Sequence, residues 1–229
     1  MTSIPSFIDE LGNSPPGPFF NPWHQQDPDH DLSAEAPQIR WRQLETYLQE
    51  RIGRARWLFV AEALGYQGGH FTGIAMTSER ILLGHQKQKY GVAPEHVFRT
   101  MQPERTSNPE LNRKGMTEPT ATIMWGAISD LELDPYQVVL WNALPWHPYS
   151  PDRGLLSNRT PTPLEMAYGT PLLKQFLSLF DQASVIAVGR KCEELLREIR
   201  VDHHAVRHPA NGGAPKFRHQ LKSLMRKRG

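Results

Sequence analysis

Short, continuous apolar runs recur along the chain. Residues 57–61 read Trp-Leu-Phe-Val-Ala, residues 137–141 and 184–189 repeat this pattern, and residues 204–207 form a weaker fourth example. Runs of this length without polar alternation are typical of strands that are buried on both faces of a parallel sheet. The pattern therefore predicts four such strands.

Helical periodicity fills the intervals between these runs. From residue 36 to Gly53, Ile39, Leu44 and Tyr47 recur roughly on one face of a helix. Strand and helix therefore alternate, which predicts an α/β fold: a three-layer αβα sandwich with a central, mostly parallel four-stranded sheet. Further helices are predicted at residues 118–130, 163–181, 190–200 and 214–227.

The composition is that of an ordinary globular protein. The chain has 229 residues, of which 38% are hydrophobic and 22% charged, enough for one substantial core. No apolar run approaches the ~20 residues that span a bilayer, and the N-terminus lacks the pattern of an export signal. We therefore expect a cytoplasmic monomer that does not enter membranes.

Metal and cofactor chemistry finds little support in the sequence. Cys192 is the single cysteine, which excludes a zinc or iron–sulfur site built from four cysteines of this chain. His203, His204 and His208 lie close together, but no acidic or thiol partner stands at a spacing typical of metal ligands. We expect neither a metal nor an organic cofactor.

The charge is unevenly distributed along the chain. The formal net charge is only +2, yet residues 216–229 are rich in lysine and arginine and contain no acid. Such a segment suits contact with phosphate oxygens. The alternative is a solvated helix end whose cations complement the helix dipole, and this segment taken alone favours that interpretation.

Polar residues follow or end the apolar runs. Glu62 follows the first run, Asn142 the second and His208 the fourth. Ligands of open parallel sheets bind beyond the carboxyl ends of the strands, so a carboxylate, an amide and an imidazole are expected to converge there. Each residue alone could instead cap a helix or hold a turn. The glycines after Glu62 form neither a P-loop nor a clean dinucleotide-binding motif, which disfavours nucleoside triphosphate hydrolysis.

Three ordered motifs resemble those of the uracil-DNA glycosylase superfamily. VAEALGYQGGHFTG is similar to its first motif, GE-x-PG followed by TG-x-PF. WNALPWHP, with SNRTPTPLE downstream, resembles its asparagine motif, and VRHPANGG its closing His-Pro motif. The resemblance covers roughly residues 57–221. Ala61, Leu64 and Met76 depart from the usual Gly, Pro and Phe, and the cluster cysteines are absent, so the chain resembles a cluster-free bacterial relative.

The resemblance implies a monofunctional DNA glycosylase that flips deoxyuridine out of DNA, hydrolyses its N-glycosidic bond and leaves an abasic site. Glu62 would stabilise the cationic sugar or orient the attacking water, and His208 would donate a hydrogen bond to uracil O2. Asn142 would read uracil N3–H and O4, which cytosine cannot match. The partner would be uracil-containing DNA.

The remaining site residues are implied with less detail. Gly65, Tyr66 or the Gly68–Gly69 pair could lie near C5 of the base and exclude thymine, with Tyr66 as the first choice. Met76 or Phe71 would offer a surface for the base, and the loop after His208 could enter the gap left by the flipped nucleotide. Contacts to DNA are predicted for Arg159, Pro161, Asn211, Gly212, Lys216 and Arg218.

The segment before the domain is expected to be an arm. Residues 1–35 contain six prolines, so regular helix or strand should be sparse there, ahead of a glycosylase-like domain at residues 36–229. Phe19, Phe20 and Trp23 are too apolar for a fully disordered tail. The arm should therefore lie either on the core or near the DNA.

Two rival functions are open: the first keeps the fold without catalysis, and the second is a Rossmann-like enzyme. The departures at Ala61, Leu64 and Met76 fit a non-catalytic module that binds uracil or abasic sites in DNA. The other rival is a nucleoside or nucleotide hydrolase that acts on small molecules. Intact Glu62, Asn142 and His208 favour catalysis over the first, and the basic C-terminus and the RTPTP segment favour DNA over the second.

Overall fold

The structure is a computed structural model that describes residues 3–227. Helices and short strands alternate along the chain, with single turns of 3₁₀-helix at residues 94–96, 135–137 and 151–153. In chain order the elements are α1 (Ile4–Leu11), β1 (Phe19–Phe20), α2 (Ala36–Gln49), β2 (Trp57–Ala63), α3 (Gly69–Thr72), α4 (Glu79–Leu82), α5 (Lys87–Tyr90), α6 (Pro119–Asp130), β3 (Val138–Leu144), β4 (His147–Pro148), α7 (Pro163–Leu179), β5 (Ser184–Val188), α8 (Arg190–Glu198), β6 (His203–Val206) and α9 (Ala214–Arg226).

The central sheet contains four parallel strands in the order β3-β2-β5-β6. On β2, Trp57 lies opposite Val138 of β3 on one side and Ser184 of β5 on the other. Helices flank the sheet, so the predicted three-layer α/β sandwich is confirmed. Because every strand runs the same way, all four carboxyl ends meet at one edge.

Two strands extend further than their apolar runs. β2 continues to Ala63 and β3 to Leu144, so Glu62 and Asn142 lie within the last residues of strands rather than after them. Ala61 pairs with Asn142, and Ala63 pairs with Leu144. Backbone pairing therefore fixes the relative height of these two side chains at the carboxyl edge.

Aromatic packing joins α7 to β3. The Trp141 ring stacks on that of Phe176, with centroids 4.4 Å apart. Thr162 and Glu165 form a capping box at the start of α7, which satisfies backbone donors of the first turn. The Thr-Pro segment thus has a clear structural role as a helix start.

The N-terminal segment contributes to the core. The expectation of sparse regular structure missed α1, whose Ile4, Phe7, Ile8 and Leu11 are buried. Pro5 sits in the first turn, where its missing N–H costs nothing. The Leu11 carbonyl accepts hydrogen bonds from Trp146 Nε1 at 2.8 Å and Asn21 Nδ2 at 2.7 Å. The segment therefore lies on the core, while its separation from a domain at residue 36 stays a prediction.

The long excursion between α5 and α6 is held by a buried carboxylate. Glu79 Oε1 accepts from the backbone N–H groups of Thr106 at 2.8 Å and Ser107 at 2.9 Å. Its Oε2 accepts from the Met116 N–H at 3.1 Å and from the Ser107 hydroxyl. Every acceptor of this side chain is used, as buried polar groups require.

Helix α9 has a buried face and an exposed face. Phe217 and Leu221 are buried whereas Lys216 is exposed. Within the described part of the chain, no helix has the length and apolar character needed to cross a membrane.

Phe7→Ala tests whether α1 is part of the cooperative core. Phe7 is fully buried, and its ring centroid lies 5.5 Å from that of Trp141 and 6.0 Å from that of Phe176. Its removal should lower the free energy of unfolding by about 3 to 5 kcal/mol, measured by urea denaturation. Leu164→Ala, at a side chain that is 67% exposed, is the control and should change little. A Phe7→Ala protein as stable as wild type would show that α1 is dispensable.

Candidate active site

A cavity of about 790 Å³ opens at the carboxyl edge of the sheet. Glu62 of β2 lines it from one side, and His208, which follows β6, lines it from the other. Two of the three predicted site residues therefore share one cavity. Its other lining residues include Asn158, Arg159, Thr160, Pro161, Gly189, Lys191, Arg207, Ala210 and Asn211.

Glu62 is half-buried at the mouth of the cavity. Its Oε1 accepts a hydrogen bond from Lys191 Nζ at 3.0 Å, on the first turn of α8. Exposed ion pairs add little to stability, so the main effect of this pair is orientation. The ammonium holds the carboxylate at the cavity and supplies a positive charge beside it.

The His208 side chain is set as a neutral donor. Its Nδ1 accepts from the Ala210 backbone N–H at 3.1 Å, so the ring proton of the neutral form must be on Nε2. Burial, together with the neighbouring Arg207, lowers the pKa of His208. Gly189 makes room for the ring, since a Cβ atom there would lie 3.0 Å from His208 Cβ.

Asn142 lies beside the cavity rather than in its lining. Its Nδ2 donates to the Ala63 carbonyl at 2.9 Å, which fixes the carboxamide against the end of β2. Its Oδ1 is buried and has no hydrogen-bond partner among residues 3–227. An unpaired buried acceptor is uncommon in proteins, and it is available to a ligand that carries an N–H group.

The residues predicted to surround the base occupy different environments. Phe71 and Met76 are buried in the core, with Met76 at φ 47°, so neither presents a surface to the cavity. Tyr66 is half-buried, and its ring centroid lies 6.3 Å from that of His147. Gly65 faces the carboxyl group of Glu118. Base stacking by Phe71 or Met76 stays a prediction that requires the pocket to open.

Arg159 has a structural role in this structure. Its guanidinium forms a two-pronged ion pair with Glu165, at 2.7 and 2.8 Å, and its Nε donates to the Tyr149 carbonyl at 2.9 Å. These contacts tie the preceding segment to the start of α7 and leave few donors for a phosphate. Pro161 is buried at the cavity edge.

The other predicted DNA contacts lie on two faces. Asn211 and Gly212, both at positive φ, form the exposed tip of the loop after His208. Lys216 is exposed at the start of α9 and has no ion pair within the described residues. Arg218, in contrast, pairs with Asp130 and lines a separate cavity of about 490 Å³. Other basic residues of that second cavity are Arg80, His85, Lys89 and Lys114.

Sequence reasoning missed a buried polar network behind the candidate site. His70 Nε2 lies 3.0 Å from Asp27 Oδ2, and His70 Nδ1 lies 3.1 Å from His147 Nδ1. His147 Nε2 lies 2.7 Å from the Ser157 carbonyl oxygen. Asp27, His70 and His147 are fully buried. The histidines were visible in the motifs, but nothing local links them to Asp27, which is 43 residues before His70.

The partners of this network determine where its protons lie. The Ser157 carbonyl can only accept, so His147 Nε2 carries a proton and its Nδ1 accepts one from His70 Nδ1. In that arrangement His70 Nε2 and Asp27 Oδ2 are both acceptors, so a hydrogen bond between them requires one additional proton. Burial raises the pKa of Asp27, but hydrogen bonds from His70 and His30 outweigh it and lower the pKa overall. Burial also lowers the pKa of His70, which opposes placing that additional proton on its imidazole.

Cys192 and His203 are further side chains considered at the sequence level for chemistry. Burial raises the pKa of the Cys192 thiol to about 12, so it is no nucleophile at neutral pH. Across residues 3–227, no group of three or more His, Cys, Asp or Glu side chains is arranged to hold a metal ion. His203 Nδ1 instead contacts the Val201 carbonyl at 2.8 Å.

The sequence matches no protein-family profile and no curated protein. The fold has a solved counterpart. The crystal structure of wild-type SMUG2 from Pedobacter heparinus is similar over 99% of this chain and 100% of that chain, with a TM-score of 0.57. The two sequences are 13% identical, so the likeness establishes the fold alone.

His147→Gln tests the buried network through pH. Burial lowers the pKa of His147 from its ordinary 6.5 to about 3, so below pH 6.5 the unfolded chain binds a proton that the folded protein does not. As the pH falls below 6.5, this residue should lower the free energy of unfolding by up to about 1.4 kcal/mol per pH unit. Urea denaturation between pH 7.5 and 4.5 should show a shallower decline in the variant.

Replacing an exposed histidine provides the control for this experiment. His219→Gln changes a solvent-facing side chain of α9 and should leave the slope of wild type intact. If His147→Gln keeps that slope too, the network is not the source of acid sensitivity.

Proposed function

We propose that this protein is a DNA glycosylase that hydrolyses the N-glycosidic bond of deoxyuridine in DNA and releases uracil. The observation that carries the proposal is the shared cavity, in which a carboxylate, Glu62, and a neutral donor, His208 Nε2, are brought to one edge of the sheet. Two further observations support it. The fold is similar to that of SMUG2, a member of the uracil-DNA glycosylase superfamily, and three sequence motifs resemble those of the same superfamily.

The reaction needs one group for each developing charge. As the glycosidic bond breaks, positive charge grows on the sugar and negative charge on the uracil. Glu62 supplies a carboxylate for the sugar or for the water that attacks it. His208 supplies an N–H group for uracil O2, and because it is neutral it stabilises the leaving anion without transferring its proton.

Asn142 would select the base. Its Oδ1 is an unused acceptor that suits uracil N3–H, and the second hydrogen of Nδ2 suits O4. Cytosine presents an acceptor at N3 and a donor at the 4-position, which reverses both requirements. A buried site with these groups would leave polar atoms unpaired with cytosine, and such mismatches discriminate strongly.

The loop after His208 would approach the DNA. Asn211 and Gly212 form its exposed tip, and Asn211 also lines the cavity. Flipping a base costs a few kcal/mol of unstacking, and a residue that enters the gap offsets this cost. Lys216 follows within the next turn of chain and is free to meet a flanking phosphate.

The decisive experiment uses a labelled oligonucleotide that contains one uracil, in single- and double-stranded form with EDTA present. The protein should generate alkali-sensitive sites only at uracil. Glu62→Gln should lower the single-turnover rate about 100-fold or more and bind the same DNA nearly as well. Tight binding without cleavage by wild type would instead identify a non-catalytic module.

Glu194→Gln is the matched control for Glu62→Gln. Glu194 is an exposed acid on α8, near Lys191 in sequence, and pairs with Arg190 on the surface. Its replacement should leave the rate within about twofold of wild type, as surface pairs contribute little. A Glu62→Gln enzyme as fast as this control would overturn the role of Glu62.

Lys216→Ala tests the phosphate contact. A lysine that neutralises one phosphate should add about 0.9 to the slope of log affinity against log salt concentration. The variant should therefore bind all sequences more weakly and show a slope smaller by about one, as measured by fluorescence anisotropy. Lys174→Ala on α7 is the control, and equal slopes for both variants would exclude the contact.

A further inference from the structure

Glu118, the residue before α6, places its carboxyl group under the glycine-rich loop that follows Glu62. A Cβ atom on Gly65 would lie 3.3 Å from Glu118 Cδ and Oε2, and one on Gly68 would collide with Oε2. The loop can lie this close only because these positions carry no side chain. The carboxyl group therefore fills the space that loop side chains would otherwise occupy.

This carboxyl group has no partner within the described residues. Glu118 Oε2 is buried and receives no hydrogen bond there, and burial alone raises the pKa of Glu118 to about 7. Glu79 shows the opposite case, since its two oxygens accept from four donors. The Glu118 side chain is half-buried, whereas that of Glu79 is fully buried. A buried oxygen without a partner, such as Glu118 Oε2, does not stabilise a fold, so Glu118 calls for a different explanation from Glu79.

A second unpaired oxygen lies against the same loop. Asn142 Oδ1 is also buried without a partner, and its carboxamide is anchored at Ala63, the residue two before Gly65. The stretch from Ala63 to Gly68 thus has an unsatisfied amide oxygen at its start and an unsatisfied carboxyl oxygen at its middle and end. Both unsatisfied oxygens therefore lie against the same stretch of loop.

We propose that Glu118 is a specificity-determining residue that contacts the C4–C5 side of the flipped base and excludes thymine. This inference rests on the proposed function. His208 would take O2, and Asn142 would take N3–H and O4, which leaves the C5 side of the base to be lined. Glu118 is the polar side chain that closes the loop where Gly65 and Gly68 offer none.

A carboxyl group suits this position for two reasons. In its neutral form it donates one hydrogen bond and accepts another, so it can support O4 beside Asn142. Against the methyl group of thymine it would be crowded and would lose its polar contacts, a combination that rejects the wrong base rather than merely favouring the right one. Uracil, with hydrogen at C5, fits without this conflict.

Glu118→Ala and Glu118→Gln separate size from protonation. Excision of uracil and of thymine, each opposite guanine, is measured between pH 5.5 and 8.5. Glu118→Ala should raise the thymine-to-uracil ratio of kcat/KM about tenfold or more. Glu118→Gln keeps the bulk, so the ratio should stay low. Uracil excision by wild type should fall above pH 7, where Glu118 loses its proton, and this fall should be absent in Glu118→Gln.

Two variants guard against a purely structural explanation. Gly68→Ala must displace the Glu118 carboxyl group and should shift the base preference in the direction of Glu118→Ala. Glu79→Gln removes a buried carboxylate that holds the excursion before α6, and should lower the melting temperature without changing the base preference. Glu118 variants with a lower melting temperature but the wild-type ratio and pH profile would overturn the proposal.

Binding without cleavage provides an independent readout. Oligonucleotides with 2′-fluoro-2′-deoxyuridine or its 5-methyl counterpart resist cleavage because fluorine destabilises the cationic sugar. Wild type should bind the uracil form more tightly, and Glu118→Ala should lose this preference. Wild type that excises uracil while Glu118→Ala keeps its selectivity refutes only the role of Glu118; wild type that neither cleaves nor prefers uracil refutes both proposals.

Discussion

A buried chain of charged groups holds the loop of the candidate site in place. Arg40 pairs with Asp31 at 2.7 Å, and Asp31 Oδ2 accepts the backbone N–H of Asp27 at 2.8 Å. Asp27 in turn contacts His70, which lies in α3, the helical turn after the glycine-rich loop. Breaking such a chain at one member leaves a buried charge uncompensated, which costs more than the pair itself contributes. The N-terminal segment, α2 and the loop are therefore positioned together.

This anchoring explains how a loop so rich in glycine can define a pocket. Gly65 and Gly68 contribute backbone alone, so the loop has few contacts of its own to hold it. His70 fixes its far end through Asp27, and Asn142 fixes its near end through the Ala63 carbonyl. The groups that face a ligand must then come from elsewhere in the chain. Strands β2 and β3 and the N-terminal segment therefore fix the position of the loop at the site.

The parts of the structure that local patterns determine could be predicted, and the parts that depend on distant partners could not. Continuous apolar runs predicted the four strands, and their carboxyl ends predicted that Glu62 and His208 would share a cavity. Helix α1 was missed because prolines suggested irregular chain, although Pro5 sits where a helix tolerates it. The contact of Arg159 with DNA stays a prediction, and its ion pair with Glu165 is recognisable only in three dimensions. Nothing before α6 marks Glu118 except its packing against a loop 50 residues earlier.

The proposed reaction is divided between the groups that contact the base and the group that contacts the sugar. Burial lowers the pKa of His208 and raises that of Glu118 to about 7, so the neutral forms of both groups are available to the base as hydrogen-bond donors and acceptors. Glu62, held by Lys191 at the mouth, is the group proposed for the sugar. A buried cation beside the base would stabilise the uracil anion more strongly but would also favour any anionic leaving group. Neutral donors give up part of that stabilisation and gain the ability to discriminate between bases by the pattern of their hydrogen bonds.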